Sequence, residues 1–167
     1  GVLSAPATNI VTISVPRTPT AAEIAAGTTT TTVALTCAQG GVCALGEDGP
    51  GGGVVFYVHA SGTFFCGATY SQTCKYLEVA PNTWNGGTAD PTKLWAIPTY
   101  QLSDIESITN NSSAYNNASG IGLGYENSLA IVGQGNDTTT AAGAARAYGG
   151  GSQSDWYLPT TAELNLL

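Results

Sequence analysis

Four cysteines constrain this chain more than any other feature, because all of them fall between positions 37 and 74 and they come in two close pairs. Cys37 and Cys43 bracket a loop containing Gly40-Gly41, and Cys66 and Cys74 bracket the stretch from Gly67 to Thr73. Four thiols allow three connectivities, and this grouping favours two local bridges, Cys37–Cys43 and Cys66–Cys74. A zinc site would want CxxC pairs or added histidine ligands. Neither spacing fits, and His59 is the single histidine. The alternative is four buried reduced thiols in a cytosolic protein. Against it, few Lys and Glu, no Met and a paired cysteine layout point to an oxidising exterior.

A length of 167 residues predicts one compact domain with room for an accessory segment. Arg17, Lys75, Lys93 and Arg146 face eleven acidic residues, for a net charge of −7. Nucleic-acid binding draws its affinity from Lys and Arg displacing phosphate counterions, so this composition argues against it. A polybasic membrane-surface role fails for the same reason. Only 9% of residues are charged, so Thr, Ser, Asn and Gln must solvate the surface. The longest strongly apolar stretch, Gly53 to Val58, falls far short of the roughly 20 residues that span a bilayer, and no membrane insertion is expected. The absence of methionine makes Gly1 read as the start of a processed chain or an excised fragment.

Along the chain, Asn9 to Val15 alternates apolar and polar residues up to Pro16, the pattern of a half-buried strand. Thr20-Ala21-Ala22-Glu23 has capping-box spacing for one helical turn, and the β-branched run from Thr28 to Thr36 predicts a second strand. A Thr-rich flexible or O-glycosylated stalk is the rival reading of residues 1–36. Val54 to Val58, a continuous apolar run after Gly49-Pro50-Gly51-Gly52-Gly53, predicts a buried central strand. Tyr76 to Val79 predicts another strand, closed by Pro81. Residues 82–100 set Trp84, Trp95 and Tyr100 among Gly, Asn and Pro, which is loop chemistry. Ser103 to Glu106 repeats the capping-box spacing, weakened by the Asn110-Asn111-Ser112-Ser113 that follows. Asp137 is placed to cap a helix from Thr138 to about Tyr148, stopped by Gly149. Strands first and short helices after predict an α+β fold.

The most specific stretch is Ser154-Asp155-Trp156-Tyr157-Leu158-Pro159-Thr160-Thr161-Ala162-Glu163-Leu164, a Trp-x-Leu-Pro segment leading into a capping box at Thr160 and Glu163. It resembles the signature of bacterial surface domains related to the C-terminal region of the Legionella collagen-like adhesin, the DUF1566 group. Similar helices occur in formylglycine-generating enzymes, whose core is C-type-lectin-like. Gly51 to Val58, Leu77 to Pro81 and Gly120 to Ser128 look like the same group in the same order, so the resemblance covers about Gly46 to Leu167. It implies a C-type-lectin-like mixed sheet with short helices and long loops. Family members continue past this helix into further strands, which implies a domain incomplete at its C-terminal end. No catalytic constellation maps onto this sequence, and His59 stands where the family has a different turn residue.

Chemistry in the residues themselves is sparse. His59 lies beside Ser61, but a nucleophile needs a base oriented by a third group, and no G-x-S-x-G elbow is present. Gly120 to Gly124 lacks the full G-x-G-x-x-G spacing and reads as a tight turn. Glu47-Asp48 and the pair Asp104 and Glu106 read as solvated turn residues. No D-x-[DN]-x-[DN]-G calcium loop occurs. Aromatics are the better clue: a flat ring with amides nearby suits a neutral sugar or a polar protein surface. Trp84, Asn85, Trp95 and Tyr125 are therefore the candidate ligand-binding residues, with Tyr100 and Tyr115 as further loop aromatics. The competing reading has Trp84 and Trp95 plugging the core beneath long loops, and Trp156 is expected in the core. Asn110, Asn111, Asn117 and Asn136 each begin an N-x-S/T sequon.

The expectation is thus an α+β chain with a β-rich segment or linker at 1–45 and a C-type-lectin-like domain at 46–167. Its expected role is extracellular, non-enzymatic binding or adhesion, with no cofactor and no metal, to a neutral glycan or a protein surface. The alternative is a structural subunit of a self-assembling surface fibre, completed by a neighbouring copy through strand addition at Asn9 to Val15. Leu164, Leu166 and Leu167, with so little helix after the cap, are expected to need burial against something.

Overall fold

The structure, a computed structural model, describes residues 34–87, 89–105 and 120–167. The expected strand at Asn9 to Val15, the turn at Thr20 to Glu23, most of the Thr-rich strand, and Asn110 to Ser113 with Tyr115 and Asn117 lie outside the described residues.

The described chain is α+β: small antiparallel sheets followed by short helices. Strand β1 (Val54–Val58) pairs with β4 (Tyr76–Val79), and between them β2 (Phe64–Cys66) and β3 (Gln72–Cys74) form their own hairpin. Three helices follow, α1 (Gly124–Gly133), α2 (Ala141–Ala147) and α3 (Thr161–Leu164).

Both expected disulfides are present, Cys37–Cys43 and Cys66–Cys74. The first folds its loop onto β1 and β4, where Cys37 and Cys43 pack against Val55 and Tyr76. The second ties the two strands of the β2–β3 hairpin. A two-stranded hairpin alone is marginal in water, so a covalent tie matters there.

The strand expected to be central and buried is only partly so. Val55 is buried and bonded to Gly46 and Glu47 on one edge, yet Val54 is 40% and Val58 36% exposed. The register slips between Val55 and Tyr57, leaving Phe56 as a bulge, so the run cannot keep one face inward. It is β4 that is covered on both faces: Tyr76, Leu77 and Glu78 are consecutive and all buried. Leu77 joins Ile121, Tyr157 and Ala162 in the main core, with Phe56, Tyr57, Phe64 and Tyr125 packed around it.

Two local expectations shift. Ala34 to Thr36 is not strand, because the Thr36 carbonyl accepts the amides of Gln39 and Gly41 at 2.9 and 2.8 Å and starts a single 3-10 turn. Helix α2 begins at Ala141 rather than Thr138. Asp137 spends its carboxylate on the Thr139 amide and hydroxyl, 2.9 and 2.6 Å, and Thr140 supplies the cap by accepting the Gly143 amide at 3.2 Å. The cap of α3 is the expected box: the Thr160 hydroxyl accepts the Glu163 amide at 3.1 Å, and Glu163 accepts the Thr160 amide at 2.8 Å.

Glycine explains how closely these parts meet. Gly122 has φ +85, and a Cβ there would lie 2.0 Å from the Phe65 carbonyl oxygen, so the Gly-rich run lets the hairpin and the α1 entrance touch. Its glycines serve a turn, as the spacing implied. Among the described residues, no helix is long and apolar enough to cross a membrane.

Candidate functional site

Pro81 ends β4, and two successive turns follow, the Trp84 amide donating to Pro81 and the Gly86 amide to Thr83, both at 2.9 Å. These turns carry Trp84 back toward α2. The Trp84 indole N–H donates to Asp90 Oδ1 at 2.7 Å, which fixes the ring. Trp84 meets Tyr148 edge to face at 5.7 Å between centroids, and Tyr148 meets Trp156 at 5.0 Å. Tyr148 is placed by the end of α2. Trp156 is buried, as expected, and its indole N–H donates to the Gly150 carbonyl at 3.0 Å.

This row of three rings forms one wall of a cleft of about 340 Å³. Phe56, Tyr157 and the leucines at 158, 164 and 167 supply further apolar lining, and Asp90 and Lys93 supply its exposed charges. Lys93 donates to the Thr138 carbonyl at 3.1 Å. Its loop is pinned to the start of α2, where the Ala141 amide donates to the Leu94 carbonyl at 2.8 Å. Further along, the Ile97 amide donates to Asn136 Oδ1 at 2.9 Å.

Two buried carboxylates underlie the site. Glu78 accepts from the Gly51 amide with both oxygens, at 3.2 and 3.1 Å, and from the Gly53 amide at 3.2 Å. Burial, only partly offset by those amides, pushes its carboxyl above the ordinary glutamate value. Glu163 accepts from the Gly122 amide at 2.7 Å and from the Tyr157 hydroxyl at 3.0 Å, besides its own cap. Burial first, and the Glu163 charge second, push the Tyr157 phenol well above 10.0.

Of the four ligand-binding candidates read from sequence, Trp84 alone lines this cleft. Asn85 is exposed and spends its amide on its own loop, accepting from Gly87 at 3.0 Å and donating to Ala89 at 3.3 Å. Trp95 is 64% exposed and lies outside the cleft lining. Tyr125 packs on the core with the Arg146 guanidinium 4.4 Å from its ring centroid. Asp90, Lys93 and Tyr148 were missed. The available signal was a second aromatic just before Gly149-Gly150-Gly151 and a charged pair on the Trp84 loop.

Other candidates resolve locally. His59 Nδ1 and Ser61 Oγ lie 3.0 Å apart within one turn, and the imidazole rests near Tyr57 and Phe64, with no carboxylate orienting it among the described residues. Asn136 is buried, with Nδ2 donating to Ile131 and Gln134, so its sequon is closed in the folded chain. Leu164, Leu166 and Leu167 are about half exposed. Compared with known proteins, the chain matches no protein-family model, no curated protein and no solved structure.

Proposed function

We propose that this is a secreted or cell-surface domain that binds a neutral glycan, without chemistry, in the cleft walled by Trp84, Tyr148 and Trp156. That wall is the observation that carries the reading: the half-buried Trp84 and Tyr148 rings, backed by the buried Trp156, offer apolar area beside a concave space sized for a small sugar, and polar groups at the margin supply orientation. Two disulfides are compatible with an oxidising compartment. The net charge of −7 opposes sulfated or uronic ligands at low salt. The resemblance to bacterial surface adhesins agrees with binding as the role.

Saturation-transfer NMR of the full chain against a panel of neutral disaccharides tests this. Binding is expected, with Trp84→Ala weakening it about tenfold or more. Release of sugar products, or retention on heparin above physiological salt, would overturn it.

The fibre-subunit reading has its own observation, the exposed leucines at 158, 164 and 167 along the cleft margin, an apolar edge of the kind that partners cover. Light scattering on the purified chain separates the two: a monomer supports the binding domain, and filaments support the fibre.

A further inference from the structure

Besides the Tyr148 hydroxyl, the polar side-chain groups lining the cleft fall into two sets. Glu78 is committed to the amides of Gly51 and Gly53, the Trp156 indole N–H to Gly150, the Tyr157 hydroxyl to Glu163 and the Trp84 indole N–H to Asp90. Asp90 and Lys93 differ from these. An ionised carboxylate has about four acceptor positions, and Asp90 uses one on Trp84; an ammonium has three donors, and Lys93 uses one on Thr138. The two side chains are hydrogen-bonded to these separate partners rather than to each other, and the Lys93 charge also faces the Asp137 carboxylate, which it helps to hold below its ordinary value after the Thr139 hydrogen bonds.

We infer that Asp90 and Lys93 form the polar reading head of the cleft, gripping two neighbouring hydroxyls of one neutral pyranose whose ring lies against Trp84. This rests on the glycan reading above and deepens it. A sugar hydroxyl both donates and accepts, so a vicinal pair satisfies a carboxylate with one hydroxyl and an ammonium with the other, each through a charge-assisted hydrogen bond. A carboxylated or sulfated ligand satisfies Lys93 and is opposed by Asp90. A cationic ligand meets the reverse. A neutral group that both donates and accepts is matched by both, and a vicinal diol does so with two adjacent hydroxyls. Asp90 also acts as a positioning residue, because the oxygen that holds the Trp84 indole sets the plane on which the sugar rests.

The test uses the full chain, disulfides intact, titrated by calorimetry with the tightest-binding neutral disaccharide of the panel and with its monodeoxy analogues. Asp90→Asn keeps an acceptor for Trp84 but removes the charge. Asp90→Asn and Lys93→Gln are each expected to weaken binding about tenfold or more, with unchanged near-ultraviolet circular dichroism. Removing the sugar hydroxyl that each group grips should cost wild type the same factor and cost the matching variant little further, the non-additivity of a shared contact. If Trp84→Ala abolishes binding while Asp90→Asn and Lys93→Gln bind as wild type, the reading head is wrong and the glycan reading stands. If no neutral disaccharide binds, or only a protein surface does, both fall together.

Discussion

Glu78 and Glu163 are both wholly buried and both take glycine amides, yet they hold the molecule differently. Glu78 closes one loop onto one strand, and among the described residues its donors are the amides of Gly51 and Gly53. Glu163 joins three places: the turn at Gly122, the Tyr157 hydroxyl and the start of its own helix at Thr160. Burial raises the Glu78 carboxyl, and burial followed by the Glu163 charge raises the Tyr157 phenol. A buried charge therefore serves here as a junction, and its importance follows how many segments lose a partner without it.

Removing the junctions is the strongest way to break this comparison. Glu163→Ala strands a buried amide and a buried hydroxyl and ends the capping box, for an expected loss of about 3–5 kcal/mol in denaturant unfolding with the disulfides intact. Glu78→Gln keeps an acceptor for the loop and should cost about 1–2 kcal/mol. Equal losses would show that the number of joined segments does not matter.

The glycines sharpen it further. Gly122→Ala combines a left-handed backbone with a Cβ in contact with the Phe65 carbonyl, and about 3 kcal/mol is expected. Gly52, in the Glu78 loop, also has positive φ (+73) but open space around it, so Gly52→Ala should cost about 1 kcal/mol. Thermal melts of the two variants check the ranking.

Next in size is the Cys66–Cys74 bridge. Replacing both cysteines by serine should cost about 2–3 kcal/mol. It should also speed hydrogen exchange at the Gly122 amide, because the hairpin holds that turn through the Tyr70 hydroxyl, which donates to the Ile121 carbonyl at 3.1 Å. Replacing Cys37 and Cys43 should leave the Gly122 amide protected. Loss of protection from both changes would contradict the separation of the two regions.

The smallest effects are in pH. A carboxyl raised above its unfolded value binds more protons in the folded state. Its unfavourable ionisation is absent below the ordinary value of 4.5 and sets in as pH rises through the raised one. Stability should therefore decline modestly above pH 4.5 and then level off, and Glu78→Gln should flatten that decline. The raised Tyr157 phenol acts at the other end: the unfolded chain loses its proton first, so stability falls as pH climbs past 10. Tyr157→Phe should lessen that fall, with the partly buried Tyr57 and Tyr70 phenols, also raised, supplying what remains. Unfolding measured across both windows checks the signs.

Much of the frame was readable in advance. The two bridges follow from cysteine proximity along the chain, β1 and β4 from short β-branched and aromatic runs bounded by Gly and Pro, and α3 from the Thr160 and Glu163 spacing. The start of α2 was misplaced because Asp137 and Thr140 both offer a cap, and Asp137 is drawn into a turn with Thr139. The site was the least legible part. Trp84 was named among the candidates, but its partners Tyr148 and Trp156 lie in distant segments, and Trp95, equally aromatic in sequence, stays in solvent.

What the sequence determined by itself is whatever depends on neighbours a few residues away: bridge pairing, turn chemistry, helix caps and the α+β order of elements. Tertiary structure alone decided which face of each element is covered and which polar groups are committed. Glu78 looks like any solvated strand glutamate until Gly51, 27 residues earlier, folds over it. Glu163 looks like an ordinary cap until Gly122, 41 residues earlier, donates to it. Local spacing encodes geometry within one turn or strand, whereas burial and hydrogen-bond commitment arise only when separate segments exclude water between them.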